Sequence, residues 1–522
     1  MAEVFAPRLR IAIDPIYVQS ANLTSSSTYQ KYVTLVRELV ARGHYVYWLV
    51  PDNEYVPNEI ESHPHVGIIR TSYIQDQFVV DGLVTDQFFN LFNRISGKYQ
   101  VDVLLTSRTS LGLYYKRILE APRFHDTGGD FTDKTYGMPT VIVEEFPQTR
   151  ERQHSSQSYW LMQCQGYIGS DRTIFLSDHN RDEVLKEMFE WFTTSKVLQF
   201  QREKVRIIPS GIECAELNKY IDDDRFKHQK QFKVLSIGRI MSVGHLEFLN
   251  WYDYLYKSGM DDVELVISLS GALGGPMRAK LNKIGVDMKN SVGRQFKIIE
   301  NNPRKSFLRM LRNYHCFIAP MSHLDHPTGL FEAVYLGLPG IMPISDYQQT
   351  FFADWPWVIN PKDKAGFLAH LTWINENREE AREMVKPWRD RIRELYDAPT
   401  NIRKLADEVE LIGHDYINRF KTSKGVVDMM RELKGSVYSW DDLVYYLKRN
   451  GHMGVSIGDM GIRTTFTYAR SAIHHSMRLA GFVDPCDTPE DYFVRRDLFE
   501  AGEWEKPGEK KPAIRKRIKV RK

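Results

Sequence analysis

Cysteine is scarce: Cys164, Cys214, Cys316 and Cys486 are the only four in a chain of 522 residues. They stand far apart, in neither CxxC nor zinc spacing, which argues against a disulfide framework and a clustered zinc site; reduced structural thiols are expected. No apolar run approaches the ~18 residues that a membrane span requires. The opening stretch, MAEVFAPRLRIAIDP, has no signal-peptide core, because its first apolar run is short and follows Arg8 and Arg10. A cytoplasmic location is therefore expected, and Asn22-Leu23-Thr24 reads as a sequon without a glycan. Internal repeats are absent, and only the C-terminal tail is biased in composition.

What is present is an ordinary globular mixture, 42% apolar and 26% charged. At roughly 100–200 residues per domain it fits about three domains. The net charge of +3 is unevenly spread, because residues 421–522 carry 20 basic and 14 acidic residues. The last thirteen, KKPAIRKRIKVRK, hold eight basic residues and no acidic one. This asymmetry describes a body with a basic appendage.

The body alternates apolar runs with helical patterns. LRIAID (9–14) precedes a helix on Tyr32, Leu35, Val36, Leu39 and Val40 that Gly43 stops. YVYWLVP (45–51), VDVLLTS (101–107), PTVIVEEF (139–146), RTIFLS (172–177) and VRIIPSG (205–211) continue the rhythm. A second series reads KVLSIGRI (233–240), VELVISLS (263–270), FKIIENN (296–302), HCFIAP (315–320) and GIMPIS (340–345). Helices at 304–313 and 329–336 lie between its later strands, and helices at 362–395 and 400–420 close the body. Such alternation predicts two doubly wound, mostly parallel α/β domains with a hinge near 211–230.

Residues 315–340, HCFIAPMSHLDHPTGLFEAVYLGLPG, carry the clearest chemistry. A strand ends, a polar loop follows, and a helix begins near Thr328 or Gly329 with Glu332 close to its start. A helix N-terminus offers free N–H groups and a positive dipole end to a phosphate. A carboxylate one turn in can accept from vicinal sugar hydroxyls. The bland alternative is that Glu332 only complements the dipole and Gly329 only permits the turn.

The segment resembles the retaining GT-B glycosyltransferases often called group 1. Their second motif glutamate is followed by Ala, three residues, Gly, any residue and Pro; here Glu332-Ala333 runs through Gly337 to Pro339 in that register. Thr328-Gly329-Leu330 looks like the family's Phe-Gly-Leu turn. Leu324 stands where the first motif glutamate is expected, and the nearest acid is Asp325. IIPSGIE (207–213) resembles the family's hinge. LSIGRIMSVGHLEFL (235–249) resembles the diphosphate-binding segment, with Gly238 and Arg239 matched and Gly244-His245 in place of Lys-Gly. The resemblance implies a metal-free transfer from a nucleotide sugar, expected to be a UDP-sugar, with retention of configuration and no cofactor. In it Arg239 neutralises the leaving diphosphate, Glu332 holds the ribose, and His245 and Asp325 complete the donor site beside Gly238, Thr328, Gly329 and Leu330.

On the other half, Glu144 and Glu145 follow the buried VIV run, at the edge where α/β sheets expose catalytic groups. Either is a candidate base or orienter for the acceptor hydroxyl, and a solvent-facing pair is the alternative. His154 and His179 are weaker candidates. The expected division is 1–212 and 213–424 for acceptor and donor domains, 425–500 for a small winged-helix-like module, and 501–522 for a basic tail. In that module DDLVYYLKRN is a capped helix, and FTYARSAIHHSMRLAG is a second one with Arg470, His474 and Arg478 on its polar side. Lys510, Lys511, Arg515, Lys516 and Arg517 add phosphate contacts in the tail. A helical protein-interaction module is the alternative. The resulting expectation is a glycosyltransferase whose acceptor is a hydroxymethylated pyrimidine in DNA. A glycan, lipid-linked sugar or protein acceptor remains open, as does a non-catalytic DNA-binding sensor.

Overall fold

The computed structural model of the protein describes residues 8–15, 27–51, 55–71, 101–109, 139–144, 157–221, 231–237, 254, 257–258, 263–269, 275–293, 297–300, 304–319, 328–344, 351–360 and 362–419. Towards the C-terminus it describes 431–435, 437–439, 442–443, 446, 453–458, 461–466, 477, 480–483 and 492–501.

The first sheet has seven parallel strands: β1 (Arg10–Asp14), β2 (Tyr45–Pro51), β3 (Val66–Thr71), β4 (Val103–Thr106), β5 (Thr140–Glu144), β6 (Arg172–Phe175) and β7 (Val205–Ile207). Their order is β3-β2-β1-β4-β5-β6-β7. Helix Ser27–Ala41 buries Tyr32, Leu35, Val36 and Leu39 against it. Gly43, at φ 87°, ends that helix through Gly43 N–H to Val40 and His44 N–H to Leu39.

The second sheet comprises β8 (Phe232–Ile237), β9 (Val263–Leu269), β10 (Lys297–Glu300), β11 (Cys316–Ile318), β12 (Gly340–Pro343) and β13 (Val358–Ile359), in the order β10-β9-β8-β11-β12-β13. Both sheets therefore reverse direction beside their first strand, between β1 and β4 and between β8 and β11. At such a reversal the loops after neighbouring strands diverge and leave a crevice at the strands' C-terminal ends.

Two chain crossings join the halves, and they are paired to each other. Ile212 N–H donates to Tyr396 O at 2.7 Å, and Ala398 N–H donates to Ile212 O at 2.8 Å. Gly211, at φ 77°, makes this possible, since a Cβ there would lie 2.7 Å from Ala398 Cα and Tyr396 O. After the second crossing, helix Ala398–Arg419 packs into the first domain, although it follows the second in sequence. Its Ile402, Leu405, Ala406, Val409 and Ile412 join the core formed by β1, β4 and helix Ser27–Ala41. Ion pairs flank that stripe: Arg42 with Asp407 (2.6 Å) and Glu410 (2.8 Å), and Glu408 with Arg172 (2.8 Å) and Arg206 (3.2 Å).

In the C-terminal region β14 (Val437–Ser439), β18 (Tyr492–Arg495) and β17 (Phe482–Val483) form an antiparallel sheet. Between the two helices expected from sequence, β15 (Met453–Gly458) and β16 (Gly461–Phe466) make a hairpin. Phe466 closes β16 instead of opening a helix, because its backbone pairs with Met453. Most of the expected second helix, including Arg470, His474 and Arg478, and the tail residues Lys510, Lys511, Arg515, Lys516 and Arg517 lie outside the described residues. Among the described residues no helix is long and apolar enough to cross a membrane.

Candidate active site

On the second sheet the site is built from two adjacent strand ends. β8 stops at Ile237, immediately before Gly238-Arg239, and β11 runs beside it with Ile318 opposite Ser236. In sequence, β11 is followed by helix Thr328–Tyr335. Gly329 brings the start of that helix against the end of β8: a Cβ there would lie 3.1 Å from Ile237 Cγ2 and 3.4 Å from Phe307 Cζ. Glu332, one turn in, is 1% exposed, with Leu330, Phe331 and Ala333 buried around it. Phe331 stacks on Tyr396 with centroids 4.3 Å apart, fixing this helix against the second crossing.

The far end of the helix accounts for half of the motif. Leu338 N–H donates to Ala333 O (3.0 Å) and Gly337 N–H to Val334 O (2.9 Å), with Gly337 at φ 80°. This is a Schellman ending, in which glycine takes the left-handed position and a proline follows. Arg389 Nε donates to Tyr335 O at 2.8 Å, placing a cation at the negative end of the dipole. Gly337 and Pro339 thus serve the ending of the helix. Gly238, Arg239, His245 and Asp325 lie outside the described residues.

On the first sheet, buried polar groups gather at the same kind of edge. Asp14, the last residue of β1, is 1% exposed and pairs with buried Arg108 at 3.2 Å. Thr106, the last of β4, donates to Asp14 O at 3.0 Å and accepts from Arg108 N–H at 3.0 Å. Glu144, the last of β5, is buried; its Oε2 accepts from Thr109 Oγ1 (2.5 Å) and Tyr167 Oη (2.6 Å). Burial first, and then the Glu144 charge, push the Tyr167 hydroxyl well above its ordinary pKa, so it remains a donor. Gly166 allows the close approach of Thr109, since a Cβ there would fall 1.8 Å from Thr109 O.

Glu144 is thus buried, not solvent-facing, and its neighbour Glu145 lies outside the described residues, as does His154. His179 sits on a helix beside Glu183 at 3.5 Å. Asp14, Arg108, Thr109 and Tyr167 were not singled out by sequence; the one signal, for the first three, is that polar residues directly follow the LRIAI and VDVLL runs. Cys164, Cys214 and Cys316 are buried thiols, none of them in a disulfide among the described residues. Burial is also the leading reason that the Cys214 thiol is pushed up to about 12 and the Cys316 thiol higher still.

No family model and no curated protein matches the sequence. Solved structures do. The chain is similar to sucrose-phosphate synthase from Thermosynechococcus elongatus over 78% of this chain and 99% of that one, at 14% identity and a TM-score of 0.57. A glycosyltransferase from Rickettsia africae matches over 78% and 98%, at 11% identity and a TM-score of 0.55. Anabaena HepE, solved with UDP and glucose, matches over 77% and 99%, at 12% identity and a TM-score of 0.51. At these identities the likeness is one of fold, and that fold is the two-domain GT-B architecture of glycosyltransferases.

Proposed function

We propose that the chain is a glycosyltransferase that moves a sugar from a UDP-sugar to an acceptor hydroxyl. The observation that carries this reading is the buried carboxylate of Glu332, one turn into a helix whose start packs on the end of β8. Vicinal ribose hydroxyls need an acceptor of this kind, and the helix N-terminus suits the diphosphate between ribose and sugar. HepE, with the same fold, is recorded with UDP and glucose. Arg239 directly follows Gly238 at the end of β8, so its guanidinium is assigned to the charge that develops on the leaving diphosphate. In this reading Thr328, Gly329 and Leu330 contribute amides, His245 and Asp325 border the sugar, and neither metal nor cofactor is required. Retention of configuration is carried over from the resemblance.

Calorimetry with UDP-glucose tests it. A hydrogen bond to a charged group is worth about 1.5–3 kcal/mol, so Glu332→Ala should weaken binding by about 10- to 140-fold. Unchanged affinity in a folded variant would end the assignment.

For the acceptor we propose a hydroxymethylated pyrimidine in DNA, supported by the eight basic residues of KKPAIRKRIKVRK. Mass spectrometry of plain and hydroxymethylated DNA after incubation with UDP-sugars decides it: a hexose mass on hydroxymethylated DNA alone is the expected product. No added mass on either DNA would move the acceptor to a glycan, lipid-linked sugar or protein.

A further inference from the structure

We propose that Trp160, Gln163 and Asn180, within the first two turns of the helices that follow β5 and β6, form a neutral hydrogen-bonding subsite for the acceptor ring. The role rests on the glycosyltransferase reading; the site rests on the side chains themselves. Trp160 and Asn180 are 0% exposed and Gln163 is 3% exposed. Trp160 Nε1, Gln163 Oε1 and both Asn180 side-chain atoms have no hydrogen-bond partner among the described residues. The Asn180 backbone is satisfied, since its N–H donates to the N-cap Ser177 at 3.1 Å. Only the side-chain amide is left over.

Buried polar groups are nearly always paired, so orphans on two helices that begin at one sheet edge call for a reason. Here the place is informative. Helix Gln157–Gly169 follows β5 and helix Asp178–Trp191 follows β6, and these strands are parallel neighbours with Glu144 opposite Phe175. Both helices therefore begin at the edge where α/β sheets bind ligands. Trp160 lies four residues before Cys164, and Asn180 four before Val184; Trp160, Cys164 and Val184 share one buried cluster. Residues four apart stack on one helix face. Trp160 and Asn180 are consequently one turn nearer the starts of their helices than Cys164 and Val184. Gln163 is one turn before Tyr167, whose hydroxyl is committed to Glu144.

The donor set defines the ligand. Trp160 Nε1 only donates, Gln163 Oε1 only accepts, and the Asn180 amide does both. None of the three carries charge. An anion would want donors alone and a cation acceptors alone, whereas a neutral ring edged with both kinds of group matches all three. A sugar ring and a pyrimidine share that chemistry. Because the residues are covered in this structure, a ligand has to displace what covers them.

The full chain is compared with the double variant Gln163→Met/Asn180→Leu, which keeps volume and removes the amides. Binding of methyl α-glucopyranoside and of 5-hydroxymethyl-2′-deoxycytidine is followed by saturation-transfer NMR, UDP binding by calorimetry, and thermal stability without ligand. The expected result is an unchanged or higher Tm, since apolar groups replace unsatisfied polar ones. Affinity for one of the two ring probes should fall at least about tenfold, the loss of roughly one hydrogen bond, while UDP affinity stays the same. The probe that responds distinguishes a saccharide from a nucleobase. A fall in Tm of about 3 °C or more would mean that the amides are structural and overturn the proposal. So would failure of the wild-type chain to bind either probe, or equal binding by both proteins. If the ring probe binds as expected and UDP does not bind at all, the glycosyltransferase reading falls and the subsite stands.

Discussion

The two sheets end in opposite kinds of edge. The first ends in polar groups that are buried and already engaged: Asp14 with Arg108, Thr106 with the backbone of Asp14, Glu144 with Thr109 and Tyr167. The second ends in apolar residues, Ile237 on β8 and Ile318 on β11, and carries its buried carboxylate on a helix. The first edge is therefore a fixed platform. The second depends on how one short helix is seated. Buried ion pairs and carboxylate networks contribute little net stability, and removing one member leaves the others desolvated. A chain that keeps such a network at a strand edge gains a rigid geometry there.

The sharpest test of this contrast uses one glycine from each edge. At Gly166 a Cβ would fall 1.8 Å from the carbonyl oxygen of Thr109, a backbone atom with nowhere to go. At Gly329 it would meet only side chains, at 3.1 and 3.4 Å. Overpacking typically costs about 1–3 kcal/mol and sometimes more, so Gly166→Ala should destabilise the protein by at least about 3 kcal/mol. Gly329→Ala should cost less than about 1 kcal/mol, because Ile237 and Phe307 can shift. Urea unfolding of the two variants measures both. Equal losses would mean that the edges do not differ in rigidity.

A second, smaller effect comes from Glu144. Replacing it with leucine strands the Thr109 and Tyr167 hydroxyls in a buried site, at a cost of about 2 kcal/mol. Replacing it with glutamine keeps an oxygen that accepts from both, so the loss should stay below about 1 kcal/mol. If the two substitutions destabilise equally, acceptance of the two hydroxyls is not what Glu144 supplies. Turnover of a UDP-sugar sharpens the result. A catalytic base would be lost in both variants, whereas a positioning carboxylate would be rescued by glutamine.

How much of this was legible in sequence depends on burial and on distance along the chain. Runs such as YVYWLVP and VDVLLTS announce central strands because parallel strands are apolar on both faces. β3 and β13 escaped notice because they are edge strands, and β13 is only Val358–Ile359. The spacing from Glu332 to Gly337 and Pro339 is legible because a helix and its ending have fixed local geometry. Asp14 and Arg108 are 94 residues apart, and no local pattern ties them. The stripe Ile402, Leu405, Ala406, Val409 and Ile412 shows an amphipathic helix in sequence. It does not show that the helix crosses back to the first domain, since that depends on Gly211 and the Ile212–Asp397 bridge.

That returning helix gives the smallest and most selective prediction, because it braces the first platform and leaves the second sheet alone. Glu410 accepts from Arg42 and faces His44 Nε2 at 2.6 Å, while His44 Nδ1 accepts from Leu9 N–H at 3.1 Å. Burial raises the Glu410 pKa, but the hydrogen bond from His44 and the charge of Arg42 outweigh it and hold the carboxyl below its ordinary value of 4.5. A carboxyl depressed in the folded state stabilises above its unfolded pKa, and that contribution is lost as pH falls through the folded value. Acidification below about pH 4.5 should therefore loosen helix Ala398–Arg419 from Arg42 and His44. Hydrogen exchange between about pH 6 and 3.5 reads this out, after correction for the intrinsic pH dependence of exchange. Amides of β1, β4 and the returning helix should lose protection before those of β8 and β11, and Glu410→Gln should flatten the difference. The shift is small, because Glu410 is partly exposed and solvent screens it. Uniform loss of protection across both sheets would show that the brace does not distinguish the two edges, and their contrast would then rest on Asp14, Arg108 and Glu144 alone.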